Sequence, residues 1–151
     1  MADVSSCFLS EPVDVSKYGV IYGGVQKNVG PAGVVIAIIR EDLITDDVLV
    51  GTPTMLKYKT HADAKSLYKT PPSYGIYICG KVFKWLKKQG GLEAIKERNE
   101  KKAEILYDYL DESKLFKGTV VPKDRSLMNV PFVTGDKDLD AKFVKEAKKA
   151  G

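Results

Sequence analysis

The triplet Gln26-Lys27-Asn28 lies within the segment from Gly23 to Gly33, where four glycines and one proline fall in eleven residues. Such a segment is a loop whose backbone turns tightly or lets another group approach closely. A lysine set there, just after an apolar strand, has a definite chemistry open to it. Held at the carboxyl end of a buried sheet, its amine loses hydration, is driven toward the neutral form and becomes a nucleophile able to form a Schiff base. Neighbouring glycines would admit a planar cofactor and its phosphate to the backbone. The same spacing also suits a surface lysine in a flexible loop, and the residues alone leave both readings open. A Walker-type phosphate loop is excluded, because neither GxxxxGKS nor GxxxxGKT occurs.

Other reactive side chains are few. Two cysteines, Cys7 and Cys79, and one histidine, His61, cannot build a disulfide framework or the common zinc sites. Cys7 falls in a loop, Cys79 in the apolar stripe of a helix, and both read as ordinary free thiols. His61 sits in a polar connection and reads as a surface residue. No metal is expected.

The chain has 151 residues, 44% hydrophobic and 29% charged, enough to bury a core and too apolar for disorder. Its longest apolar run, Val34 to Ile39, is far short of a membrane span. No basic start leads into an apolar stretch, so no secretion signal is visible and a reducing, cytoplasmic location is expected. The net charge of +4 comes from lysine: 21 Lys stand against Arg40, Arg98 and Arg125. Most lysines alternate with acids, as from Glu93 to Lys102, which describes a solvated helix face. Without an aromatic-basic motif, neither a nucleic-acid nor a membrane partner is implied.

The elements that must position Lys27 follow from the pattern. Val20-Ile21-Tyr22 and Val34 to Ile39 are β-branched, apolar and without alternation, as in strands covered on both faces. Met1 to Ser5 fits the tail of another strand. Glu41 to Pro72 reads as a long irregular connection, of the kind that is functional or reaches to another subunit. Helical spacing marks Ser73 to Lys88, with Ile76, Val82, Phe83, Trp85 and Leu86 apolar, and Gly90-Gly91 stops it. A second helix runs from Leu92 to Glu112 on a stripe of Leu92, Ile95, Asn99, Ala103, Leu106 and Leu110. Gly118 to Pro122 and Met128 to Val133 read as strands joined by a turn at Lys123-Asp124-Arg125, and Lys137 to Ala150 as a final helix. The order is α/β, in parts of two layers.

Several segments together carry a resemblance. They are Asp3-Val4-Ser5-Ser6, Pro12 to Tyr22, Gln26-Lys27-Asn28-Val29-Gly30-Pro31-Ala32-Gly33, Ser66 to Tyr77, Trp85 to Leu92 and Arg125 to Phe132. In order and spacing they resemble the phosphoserine aminotransferases, of the class V branch of the pyridoxal-phosphate aminotransferases. The resemblance covers essentially the whole chain.

It implies the fold type I α/β architecture, with residues 1–72 the end of the cofactor-binding large domain and its arm, and 73–151 the interdomain helix and incomplete small domain. Lys27 would hold pyridoxal 5'-phosphate through a Schiff base and then move the proton in the transamination. Asp3 would keep the pyridine nitrogen protonated, so that the ring accepts electrons. Gln26 would give an amide donor to the cofactor phosphate. Gln26 also separates this chain from cysteine desulfurases of the same fold, which carry His before the lysine and a catalytic Cys. Thr70 would reach the phosphate of the neighbouring subunit in a homodimer. The residue before it is typically Asn in the family; here Lys69 could meet the phosphate as a point charge.

The implied reaction moves an amino group between glutamate and 3-phosphohydroxypyruvate, giving phosphoserine in serine biosynthesis. Another oxo acid, or a binding fragment that has lost catalysis, are the alternatives. The family pattern leads one to expect further residues at both ends, including the substrate-binding arginines. Arg98 and Arg125 read as surface residues.

Overall fold

A computed structural model describes residues 1–151. Three strands form the first sheet: β1 (Ala2–Asp3), β2 (Val20–Gly24) and β3 (Val35–Ile39), in that order. β1 runs parallel to β2, with Ala2 opposite Ile21 and Asp3 opposite Tyr22. β3 returns antiparallel, pairing Val20 with Ile39 and Gly24 with Val35. The glycine-rich loop is thus a hairpin connection, and Lys27 sits at its turn.

β2 is covered as expected, with Val20 and Ile21 buried. β3 is not. Val35 is 68% and Ile38 42% exposed, and being three apart they lie on opposite faces, so its unbroken apolar run is left partly open on both sides within this chain. The polar connection after it also holds more structure than its composition suggests. It contains a short helix, α1 (Tyr58–Asp63), clasped by a Lys59–Asp63 ion pair one turn apart. Its six residues, Tyr58 to Asp63, carry no apolar stripe and leave no periodic trace in the sequence.

The long helices lie where their spacing places them. α2 (Ser73–Lys88) ends before Gly90, whose left-handed backbone at φ 98° turns the chain directly into α3 (Gly91–Glu112). The expected stripe of α2 needs correction: Gly75, Cys79 and Leu86 are buried, while Ile76, Phe83 and Trp85 remain exposed. On α3 the inward row is Ile95, Asn99, Ala103, Tyr107 and Leu110, so Tyr107 takes the place expected of Leu106.

The two later strands are much shorter than expected. Only β4 (Lys117–Gly118) and β5 (Phe132–Val133) pair, antiparallel, and a 3-10 turn at Pro122–Asp124 fills the space between. α4 (Lys137–Ala150) follows, capped by the Asp136 carboxylate, which accepts the Asp138 and Leu139 N–H groups at 2.8 and 3.0 Å. Phe116 packs edge-on against Phe132 and Phe143, with centroids at 5.3 and 4.9 Å.

Arg125 is not a surface residue. Its side chain is 18% exposed and lies 4.5 Å over the Tyr107 ring, while its guanidinium donates two hydrogen bonds to Asp111, one of 2.7 Å. Tyr107 in turn donates to the Ser126 carbonyl at 3.0 Å. α3 thereby fastens the loop that would otherwise hang between β4 and β5.

Two apolar clusters result. One joins Phe8, Val25, Val29, Val34 and Cys79; the other joins Ala103, Tyr107, Leu110 and Phe116. Only 17 of 151 residues are buried, and the accessible surface is 11249 Å². A folded monomer of this mass exposes about 7,600 Å². The chain leaves far more surface open than a compact monomer of its mass.

Three outcomes follow. In the protein expressed from its complete reading frame, Gly30→Ala places a Cβ 2.6 Å from the buried Cys79 Sγ. It should cost about 1–3 kcal/mol in chemical denaturation, and less when Cys79→Ala accompanies it; strictly additive costs would show that the two do not touch. Arg125 hydrogen bonds hold the Asp111 carboxyl below its ordinary range. The pair therefore contributes fully above the unfolded carboxylate pKa and is lost as pH falls through the folded value. Asp111→Asn should be less stable than the native chain at neutral pH, with the gap closing below about pH 4; a gap that persists undiminished at lower pH would refute the pairing. The 151 residues expressed alone should bind a hydrophobic dye and melt without a cooperative transition, and a sharp two-state melt of a monomer would refute that.

Candidate functional site

After β2 the chain makes one helical turn. Val29 and Gly30 both return their N–H to the Val25 carbonyl at 2.9 Å. Val25 and Val29, four apart, point inward and are 0% and 1% exposed. Gln26 and Lys27 consequently face outward, and both are exposed. Asn28 ties the turn down by donating Nδ2–H to the Phe8 carbonyl at 2.8 Å. The buried valines, rather than the glycines, aim the lysine.

β1 brings the acid. Beyond its pairing opposite Tyr22, the Val4 N–H donates to the Tyr22 carbonyl at 2.8 Å. The chain then crosses close over the end of β2: a Cβ at Gly23 would lie 3.1 Å from the Ser5 nitrogen and 3.2 Å from the Val4 carbonyl carbon. Glycine is required there by the neighbouring backbone. The Gly24 N–H donates to Ser5 Oγ at 3.1 Å and closes the crossing.

Asp3 is held as a carboxylate. Hydrogen bonds from the Ser5 hydroxyl and the Ser5 N–H, the latter at 2.9 Å, keep it below the ordinary range, helped by the Tyr22 hydroxyl and the nearby Lys27 ammonium. The same proximity pushes the Tyr22 phenol up, chiefly through the charge on Asp3. Lys27 Nζ donates to Ser6 Oγ at 2.7 Å. Gln26 curls back so that its amide occupies the space a Cβ on Gly24 would take. A carboxylate, an amine and a primary amide therefore gather at one end of the β1–β2 pair. That set can hold a cationic ring nitrogen, condense with a carbonyl and donate to an anion.

Not every expectation is met. Lys27 is exposed, so these 151 residues do not bury its amine. Lys69 and Thr70 lie exposed between α1 and α2, with no hydrogen bond or ion pair to Asp3, Gln26 or Lys27. His61 is half-buried with a ring nitrogen 2.8 Å from the Met55 carbonyl, a local structural contact. Cys7 is partly buried, and burial first, then Glu11 and Asp3, push its thiol up, away from reactivity. Cys79 is buried beneath Gly30.

Sequence reasoning missed Ser5, Ser6 and Tyr22 as parts of the site. Ser5 and Ser6 stand in the first segment of the resemblance, which implies no role for them, because that role comes from the crossing over Gly23. Asn99 carried a usable signal, as the one polar residue in an apolar helix stripe. It donates from a buried position to the Ser10 carbonyl at 2.9 Å and anchors the loop that bears Ser5 and Ser6.

Comparison with known proteins places this arrangement. Phosphoserine aminotransferase of Nitrosomonas europaea is 57% identical over 151 residues, all of this chain and 41% of the relative. A solved phosphoserine aminotransferase studied for radiation damage of its Schiff base is 45% identical with a TM-score of 0.88, covering 99% of this chain and 41% of that one. The PLP-bound phosphoserine aminotransferase of Trichomonas vaginalis is 36% identical with a TM-score of 0.89, over 98% of this chain and 43% of that one. The chain thus spans about two fifths of the length of these proteins. The family model described as aminotransferase class-V matches residues 1–150, and the chain belongs to that family.

Proposed function

We propose that this chain is the lysine-bearing part of a phosphoserine aminotransferase, in which glutamate and 3-phosphohydroxypyruvate exchange an amino group to give phosphoserine for serine biosynthesis. Its relatives carry that name at 57% and 51% identity across the whole chain. The observation that carries the reading is the meeting of the Lys27 amine and the Asp3 carboxylate at the carboxyl end of β2. The residues fit pyridoxal 5'-phosphate, which when bound supplies an aldehyde for the amine and an electron-accepting ring.

Each residue then has a task set by its chemistry. Asp3, already held ionised by Ser5, accepts a hydrogen bond from a protonated ring nitrogen and keeps it charged. Lys27 contributes Nζ as the nucleophile. The same Nζ, when free, would serve as the general base and acid that moves the proton. Gln26 donates its amide N–H to phosphate oxygens without adding charge. The glycines at 23 and 24 keep side-chain bulk off the strand end over which these groups meet.

The remaining assignments are part of the same proposal. Residues 1–72 form the C-terminal part of the cofactor-binding domain with its arm, and 73–151 the interdomain helix and an incomplete small domain. Lys69 and Thr70, exposed and turned to no group of their own chain, serve the phosphate of a second subunit in a homodimer. Their exposure and lack of any bond to Lys27, with the large uncovered surface, support this. No helix is long and apolar enough to cross a membrane, and a cytoplasmic location agrees with the reaction.

Borohydride reduction of the protein from its complete reading frame, loaded with pyridoxal phosphate, should leave the pyridoxyl group on the peptide containing Lys27. Lys27→Ala should abolish that adduct and lower amino transfer to phosphohydroxypyruvate by at least about a thousandfold. Mass-spectrometric mapping to another lysine would overturn the assignment. Equal turnover of unphosphorylated oxo acids would reassign the substrate.

A further inference from the structure

The strongest unassigned feature of the site is the partner of the lysine. Lys27 Nζ has one hydrogen bond in the chain, to Ser6 Oγ at 2.7 Å. It makes no ion pair with Asp3, although the two are close enough for the Lys27 charge to help hold the Asp3 carboxyl ionised. Opposite charges this near attract, and a flexible four-carbon stem would allow direct pairing. The hydroxyl takes the ammonium instead.

Ser6 is fixed independently of Lys27. On one side Ser5 Oγ accepts the Gly24 N–H. On the other, the Phe8 carbonyl accepts from Asn28, the Ser10 carbonyl accepts from Asn99, and Ser10 Oγ donates to the Cys7 carbonyl at 2.7 Å. Leu9, in the same turn, is held in the left-handed region at φ 58°, which a non-glycine residue keeps only where its surroundings enforce it. The turn is rigid and the lysine stem is not, so the serine sets where the amine rests.

A hydroxyl differs from a carboxylate in what it permits. It accepts from an ammonium and donates to a neutral amine, so it holds Nζ in both protonation states with no net charge of its own. A carboxylate in its place would favour the ammonium, which cannot attack a carbonyl.

We propose that Ser6 is the positioning residue for Lys27: it parks the amine between covalent engagements and keeps it off Asp3. The inference rests on Lys27 being the reactive amine. Asp3 is thereby left free for the ring nitrogen, and Nζ rests against the turn.

The protein from its complete reading frame, stripped of cofactor, gives two readouts. On adding pyridoxal phosphate, Ser6→Ala should form the imine absorbance about three- to tenfold more slowly than the native protein, the size of one lost hydrogen bond. With a small acylating reagent and no cofactor, Lys27 in the same variant should be labelled several-fold faster relative to the exposed Lys17. Ser6→Thr, which keeps the hydroxyl, should return both to within about twofold. Opposite shifts separate positioning from a general loosening, which would speed labelling of both lysines. Native rates in Ser6→Ala, or a threonine variant that tracks alanine on both readouts, would overturn the proposal. If the native protein forms no imine on Lys27, the functional reading fails instead, while the labelling ratio still tests the Ser6 contact itself.

Discussion

Two residues of β1 hold the site together. Ala2 and Asp3 pair in parallel with Ile21 and Tyr22, and the Val4 N–H extends the ladder by one bond. That short register puts a carboxylate beside the strand whose next turn carries the lysine. The crossing of Ser5 over Gly23, the Ser5 hydroxyl on Gly24 and the seating of Ser6 against Lys27 all depend on it. A slip of one residue in β1 would turn Asp3 to the opposite face of the sheet. The acid and the amine are therefore coupled through backbone pairing more than through their own charges.

Lys27 stands out by residue type and setting, Gln26 and Asp3 only through the resemblance, and the three long helices by their periodicity. What escaped had physical reasons. α1 is too short and polar to leave a stripe, and β4 and β5 shrink to two residues each because the intervening chain is held by side chains of α3 instead of a ladder. Arg125 looked exposed because its partners, Asp111 and Tyr107, lie 14 and 18 residues away on another element. Ser6 was invisible for a similar reason: it meets Lys27 only after a 21-residue excursion. Periodicity reports what a residue does within its own element, and these residues act across elements.

The apolar faces left open belong with the share of the relatives that this chain covers. β3 is as apolar as a strand buried on both sides, yet exposes Val35 and Ile38. Its composition records an environment that these residues do not themselves provide. The same holds for Lys27, whose exposure in the chain contrasts with the dry setting its proposed chemistry wants. Lys69 and Thr70 stand at the other limit, polar and unengaged.

The bond from Asn99 to the Ser10 carbonyl spans 89 residues and is buried. At the ordinary pace of translation, about 5–20 residues per second, the segment bearing Asp3 and Ser6 leaves the ribosome roughly 4–18 seconds before its anchor on α3 exists. Through that interval it is held by its pairing with β2, by the turn that follows β2 and by Cys79 of α2. The last constraint on the geometry of the lysine site is therefore delivered by a helix made long after the lysine, and the order of synthesis sets a window in which the acid and the amine are present but not yet locked.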